Sequence, residues 1–352
     1  MSEIPEIGKI SSAIFNEIIY PRLGAKNDKV IVGPQHGVDV GIVEIGNQAV
    51  SITCDPVFLV PEYGWERAAW FAIHIIASDS ITSGLKPTYL SIDLNLPMTI
   101  TKDQLITMWS VIDRECQKMG INIITGHTAR YSDCRYPMVG GATIIGVGGL
   151  DEYVTPRLAK EGDSIIITKG PAIEATGIFS TMLPALLEKK FGNAFVKKAQ
   201  DIFYKMTVVE DGMTSVGVGR RENGVSAMHD ATECGIWGGL YEIGQSSGLG
   251  VRVNKDDIVV EDCVMQICDY FNIDPFASIS EGTLIVTCRA HAAEKILQAL
   301  HNKNIKASVV GELTKPEKGM VLVSGGKERR LEHPVVDPFW KAFYGALEQN
   351  SR

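Results

Sequence analysis

Asp39, Asp55 and Asp79 each stand where an apolar run stops or breaks, positions at which a fold can hold a carboxylate rigidly and still expose it. Asp39 lies in Gly37-Val38-Asp39-Val40-Gly41, Asp55 closes the run from Ala49 to Cys54 just before Pro56, and Asp79 falls near the end of an apolar helical stretch. Carboxylates drawn from separate elements suit a magnesium ion, which takes oxygen ligands in near-octahedral geometry and bridges to substrate phosphates. Taken singly, each aspartate also reads as a turn or helix cap, since Asp is favoured at both. The metal reading rests on the set.

A second polar group, Met228-His229-Asp230-Ala231-Thr232-Glu233-Cys234, runs straight into a helical pattern carrying Gly235, Gly238 and Gly239. Backbone amides at such a start can approach an anion, and the helix dipole favours it. Asp230 or Thr232 serves equally well as a plain N-cap. Glycine inside a helix costs roughly 1 kcal/mol against alanine, so these three imply close approach of a neighbour or ligand. Cys234 at the helix start is either a stabilised thiolate or a buried inert thiol. The common nucleotide fingerprints are missing: there is no GxxxxGK[ST] loop, and Gly217-Val218-Gly219 lacks the third glycine of a dinucleotide site. Any ATP must therefore be held by metal and carboxylates. Neither a GxSxG elbow nor an HExxH metal motif occurs.

The elements that must position these residues alternate in the first half. A helix is expected over 10–20 before Pro21, short strands over 29–32 and 41–45, and a strand over 49–54. There follow a helix over 66–83, a strand over 88–96, a helix from about Thr101 to Gly120, and strands over 122–125 and 138–149. A polar turn, Ala159-Lys160-Glu161-Gly162-Asp163, then leads into the β-branched run 164–168. The division into domains 1–155 and 156–345 is drawn there. Beyond it come a turn over 170–177, helices to about 190, over 195–203 and over 235–247, a strand over 282–288, a helix over 290–301 and a strand over 306–311. The class is α+β in two lobes.

Composition narrows the partners. The chain has 352 residues, 45% apolar and 22% charged, ordinary globular material long enough for two domains. A net charge of -8 without a Lys/Arg cluster argues against nucleic acid and anionic membranes. Seven cysteines without a CxxC pair argue against a disulfide framework and for a reducing cytoplasm. The opening residues, Met1-Ser2-Glu3-Ile4-Pro5-Glu6, lack the basic-then-apolar pattern expected of a leader, and no apolar run approaches the roughly 18 residues of a membrane span. A cytoplasmic protein is expected.

The tract from Met228 to Gly235, with Leu240-Tyr241-Glu242-Ile243 and Ser246-Ser247-Gly248-Leu249-Gly250-Val251, resembles the second-lobe signature of the aminoimidazole ribonucleotide (AIR) synthase superfamily. Within it the sequence most resembles the hydrogenase-maturation branch around HypE and its unassigned AIR synthase-related relatives. Gly37-Val38-Asp39 resembles the family's Gly-Asp-Asp turn and Cys54-Asp55 its strand-end aspartate. Ala77-Ser78-Asp79 with Ser83-Gly84-Leu85-Lys86-Pro87 resembles its Asn-Asp and Gly-Ala-x-Pro segment, and Gly126-His127-Thr128 its Gly-Asp-Thr. Glu161-Gly162-Asp163, Gly282-Thr283-Leu284 and Gly311-Glu312-Leu313 match the second lobe, and the order of the matches carries the identification.

The resemblance implies a two-lobed PurM-like fold whose N-terminal lobes pair in a homodimer, with ATP and Mg2+, or another divalent metal, in a cleft by that interface. It assigns metal–ATP to Asp39, Asp55 and Asp79, and phosphate contacts to Gly126, His127 and Thr128. Gly37, Ser78 and Thr232 would also line the nucleotide, His127 would join the metal, and Asp55, Asp79 and Asp230 would be catalytic. Asp230, Thr232 and the 170–177 turn would shape the acceptor side. The shared chemistry of the family is ATP activation of an oxygen by phosphoryl transfer, which rests on positioning and charge neutralisation.

Departures from the pattern matter as much. Val38, Ser78 and His127 stand where the family has aspartate, asparagine and aspartate. His36, His74 and His127 fall in the nucleotide segments, where they would contact phosphate or a softer metal, because imidazole suits zinc, iron or nickel. His74, on an apolar helix, reads better as a hydrogen-bonded core residue. The maturation branch ends in a cysteine that accepts a carbamoyl group, whereas this sequence ends Glu348-Gln349-Asn350-Ser351-Arg352, so that chemistry is not expected. The rival readings are a non-catalytic maturation partner or metal-binding protein on the same fold, and a purine or thiamine enzyme, whose motifs fit less well.

Overall fold

The computed structural model describes residue 10 and residues 12–350. Six strands build the first sheet: β1 (Val30–Val32), β2 (Gly41–Ile45), β3 (Gln48–Phe58), β4 (Pro87–Pro97), β5 (Asn122–Tyr131) and β6 (Met138–Gly149), in the order β1-β2-β3-β6-β4-β5. Side chains alternate between the two faces of a strand, and the register shows what each face does. The row Thr53, Ile144, Leu90 is buried against helices, whereas the adjacent row Ile52, Ile145, Tyr89 is open or half-open.

Two helices cover the buried face. Lys102–Met119 is started by a Thr101–Gln104 capping box and stopped by Gly120 in the left-handed region, and Met108, Ile112 and Cys116 at helical spacing turn its apolar side to the sheet. Trp65–Ile81 packs beside that helix, over β3 and β6, and is buried almost all round. Its Ala68, Ala69, Ala72 and Ala77 allow the close packing.

The second sheet has seven strands: β7 (Ser164–Thr168), β8 (Val225–Asp230), β9 (Gly250–Asn254), β10 (Leu284–Cys288), β11 (Ala307–Thr314), β12 (Met320–Ser324) and β13 (Lys327–Arg330), ordered β13-β12-β9-β11-β7-β10-β8. Both faces are covered, so β8 and β10 are buried at every residue. Helix Gly235–Ser247 packs on one side and helices Val209–Val218 and Ala293–Asn302 on the other. The largest apolar cluster joins the lobes: first-sheet and first-lobe helix residues meet Ile173, Phe179, Phe203, Cys263 and Phe339. Phe179 stacks on Phe271 at 3.8 Å and meets Phe339 edge-on at 5.0 Å, which seats the final helix, Pro338–Asn350.

Several elements differ from the sequence reading. The first helix is a short α turn, Ser12–Ile14, that relaxes into a π turn and then a 3-10 turn containing Pro21; position 11 of the expected span lies outside the described residues. β3 does not stop at Asp55. It continues through Pro56 to Phe58 with a register shift, because a proline without an N–H fits where the ladder is broken. β5 runs on to Tyr131. The turn expected over 170–177 is complete by Ala172, a left-handed residue, after which Ile173–Met182 is helical and carries Glu174 and Gly177.

Candidate functional site

Asp39, Asp55, Asp79 and Asp230 come together where the lobes meet. Asp39 comes from the loop before β2, Asp55 from the helix-facing side of β3, Asp79 from the last turns of Trp65–Ile81, and Asp230 from the end of β8. The Thr53 hydroxyl donates to the Asp39 carbonyl at 3.0 Å and lies 3.3 Å from Asp79 Oδ2, tying loop, strand and helix. Asp230 is buried and its Oδ2 has no hydrogen-bond partner. Burial first, then the charges of Asp230, Asp55 and Asp39, hold the Asp79 carboxyl well above the usual range. Burial, then Asp39, pushes Asp230 up to about 7. Crowding of this kind is relieved by a bound cation.

His229, next to Asp230, is a functional residue that its local sequence does not single out. Its Nδ1 lies 2.9 Å from Asp39 Oδ2 and its Nε2 2.7 Å from Glu242 Oε2. Two carboxylate partners require both ring nitrogens to donate, the imidazolium form. Burial works against that charge, but the fields of Asp39 and Glu242 and their hydrogen bonds outweigh it, and the histidine is held well above its ordinary value. Local sequence makes room for this bridge. A Cβ on Gly239 would stand 3.2 Å from His229 Cδ2, and one on Gly37 would stand 2.7 Å from the Glu242 carbonyl. Gly37 also sits at φ +73, where glycine is unstrained. Among the described residues, Asp39, His229 and Asp230 bring three ligand atoms within 4.8 Å of one another.

The remaining expected residues lie elsewhere or are engaged. The register runs Asp55, Ala142, Ile92, Gly126 across β3, β6, β4 and β5, so Gly126 is three strands from Asp55. His127 follows Gly126 and points to the opposite face of the sheet, where it meets Tyr131 at 3.1 Å. Within one chain it shares no metal with Asp55, and Thr128 is likewise on the exposed edge strand. Ser78 is buried and accepts the Val208 N–H, an inter-lobe tie. Thr232 gives its carbonyl to the N–H groups of Ser280 and Gly235. His36 packs edge-on to Phe15. His74 stacks on Trp70 at 4.1 Å and bridges Thr207 and Glu115, the core histidine that the apolar helix implied.

The start of helix Gly235–Ser247 does meet an anion, but one supplied by the chain. Asp337 Oδ2 accepts the Cys234 N–H at 2.7 Å, while its Oδ1 accepts from Phe339 at 2.9 Å. Neither Asp230 nor Thr232 caps that helix. Cys234 is buried and its thiol donates to the Pro334 carbonyl, and Cys288 is buried within β10. From the second lobe, Glu174 and Glu281 add two more carboxylates whose fields reach Asp230.

A two-lobed α+β chain with carboxylates from both lobes converging on one cleft defines a class whose fold carries the site at the lobe junction. Residues 37–147 match the AIR synthase related protein, N-terminal domain, and residues 160–324 match the AIR synthase related protein, C-terminal domain. The chain belongs to the AIR synthase-related, PurM-like superfamily. It is 24% identical over 335 residues to a putative hydrogenase expression/formation protein of Methanocaldococcus jannaschii, spanning 94% of this chain and 96% of that one. HypE in a HypE–HypF complex superposes with a TM-score of 0.72 at 20% identity, covering 92% of this chain and 100% of that one. HypE in complex with ATP gives 0.67 at 21% identity, over 95% and 97%. Among the described residues, no helix is long and apolar enough to cross a membrane.

Proposed function

We propose that the protein is a cytoplasmic, homodimeric, ATP-dependent enzyme that activates an oxygen of a small-molecule or protein-bound acceptor by phosphoryl transfer, without carbamoyl transfer through a terminal cysteine. The convergence of Asp39, Asp55 and Asp79 beside buried Asp230, whose Oδ2 has no hydrogen-bond partner, carries this reading. A donor set of hard carboxylate oxygens fits Mg2+. Asp39, Asp55 and Asp79 would hold the metal and its nucleotide, and Asp230 would face the acceptor. When bound, magnesium supplies charge neutralisation for a transferred phosphoryl group. The residues themselves would orient the ion, with Thr53 holding loop, strand and helix of the first lobe together and His229 tying the lobes.

Pairing of the first lobes is supported by the open sheet face, where Ile52 and Tyr89 share a row and Ile124 and Tyr131 follow on the edge strand, all more than a third exposed. An apolar area of this kind marks an interface. In the dimer, Gly126, His127 and Thr128 on β5 would approach the nucleotide from the partner's side of the cleft. In this reading 1–155 is the ATP-binding and pairing domain and 156–345 the acceptor domain.

The test is Asp55→Asn, followed by calorimetric titration with ATP and Mg2+. Loss of metal-dependent ATP binding with an unchanged far-UV spectrum is expected; unchanged affinity overturns the assignment. A second reading is favoured by one observation. The mixed set Asp39, His229, Asp230 offers imidazole beside oxygen, which suits zinc, iron or nickel, so a metal-binding partner on the same fold would bind such an ion without nucleotide.

A further inference from the structure

Glu281 lies in the loop before β10, is 2% exposed, and neither of its carboxylate oxygens makes a hydrogen bond of normal geometry. A carboxylate removed from water in that way is costly unless something compensates it. Burial first, then the charges of Asp230 and Glu174, hold its carboxyl well above the usual range, and the Ser78 hydroxyl and the Lys169 ammonium only partly oppose them. Lys169 is already committed, however, at 2.6 Å to Asp211 and at 2.8 Å to the Thr207 carbonyl. Facing Glu281 is Glu174 in the first turn of Ile173–Met182, half-buried and so reachable from solvent. Glu174 Oε2 accepts the Glu281 N–H at 3.0 Å. Ser280 and Ile279 accept the N–H groups of Ile173 and Ala175, which stitches loop and helix into one rigid wall. Asp230, Glu233 and Asp337 complete the acidic surroundings, and both Asp337 oxygens are already in use.

We propose that Glu174 and Glu281 form a subsite for a protonated amine, a cationic group on the acceptor. This deepens the phosphoryl-transfer reading and rests on it for the word acceptor; the binding itself does not. A primary ammonium has three N–H donors and a full positive charge. It supplies the hydrogen bonds that the Glu281 oxygens lack and offsets the excess of carboxylates. A neutral ligand would satisfy the oxygens and leave the charge. Among the described residues, the group that brings three metal-ligand atoms together is Asp39, His229 and Asp230, and it includes neither glutamate.

The experiment titrates the full chain, free of nucleotide, with methylammonium, with acetamide as a neutral ligand of similar size and with tetramethylammonium, which is charged but has no N–H. Saturable methylammonium binding is expected, weakened about tenfold or more in Glu281→Gln, since hydrogen bonds to a charged group are worth roughly 1.5–3 kcal/mol. Acetamide and tetramethylammonium should bind at least about tenfold less tightly, for the same reason. Equal binding by Glu281→Gln, equal binding of acetamide or tetramethylammonium, or displacement of methylammonium by MgCl2 in the Asp55→Asn protein overturns the proposal. Mg2+–ATP binding is measured on the same sample. Its absence beside intact methylammonium binding overturns the phosphoryl-transfer reading and leaves the subsite standing.

Discussion

Removal of His229 should have opposite effects on the fold and on the metal. The imidazolium makes two charge-assisted hydrogen bonds, at 2.9 Å to Asp39 and 2.7 Å to Glu242. Such bonds are worth roughly 1.5–3 kcal/mol each, but the two carboxylates are partly exposed, so water recovers part of the loss. About 3 kcal/mol is a fair figure for His229→Ala, within the cost of stripping one partner from a buried ion pair. For a chain of this length that lowers Tm by roughly 4 °C. Asp39, however, is then no longer neutralised. On the phosphoryl-transfer reading, magnesium would compete with His229 for that carboxylate in the wild-type protein, against an attraction of about 4 kcal/mol at an effective dielectric constant near 20. Recovery of even a third of this raises Mg2+ affinity about tenfold. Melting in EDTA and across a magnesium series reads both effects, with His229→Gln expected to fall between wild type and Ala. An unchanged Tm in EDTA, or the same magnesium response in both proteins, refutes the reasoning. Zinc or nickel binding lost with His229 would make the imidazole a ligand instead of a competitor.

Two further outcomes can be stated. Hydrogen bonding from His74 first, then from Lys118 and Arg114, holds Glu115 below the usual carboxylate range, at about 2 against 4.5. A depressed carboxylate stabilises the fold above its unfolded value and loses that contribution as pH falls through about 2, so the window runs from about 4.5 to about 2. The full shift corresponds to about 3 kcal/mol; because Lys118 and Arg114 are more than half exposed, about 1–2 kcal/mol is expected after screening. Glu115→Gln should therefore be less stable than wild type in urea at pH 7 by that amount and approach it on acidification, and a constant gap down to pH 3 speaks against the ion network. On the open face of the first sheet, Ile124→Lys should convert a dimer to monomer by light scattering and weaken ATP binding with it. A monomer that keeps full affinity would place the nucleotide site within one chain.

What could be read in the sequence follows from the range of each interaction. The aspartates were legible because local periodicity shows where a strand or helix ends, and helix Lys102–Met119 because Thr101, Gln104 and Gly120 encode both ends of it. His229 was not legible, since its partner Asp39 is 190 residues away and nothing local distinguishes a bridging imidazole from a cap neighbour. Glu174 and Glu281 are separated by 107 residues and share the same difficulty. His127 shows the converse limit. Its motif neighbours put it in the nucleotide segment, yet one residue of strand register turns it to the face away from Asp55, and register is fixed by pairing that the motif does not contain. β12 and β13 did carry a local signal, Gly325-Gly326 between two short runs, which reads as a hairpin turn once it is sought. The sequence therefore speaks for itself where a feature is satisfied by its own segment. Where one carboxylate is set by a charge from the other lobe, as Asp39 is by His229, only the assembled junction supplies the answer, and that is where Asp55→Asn and His229→Ala act.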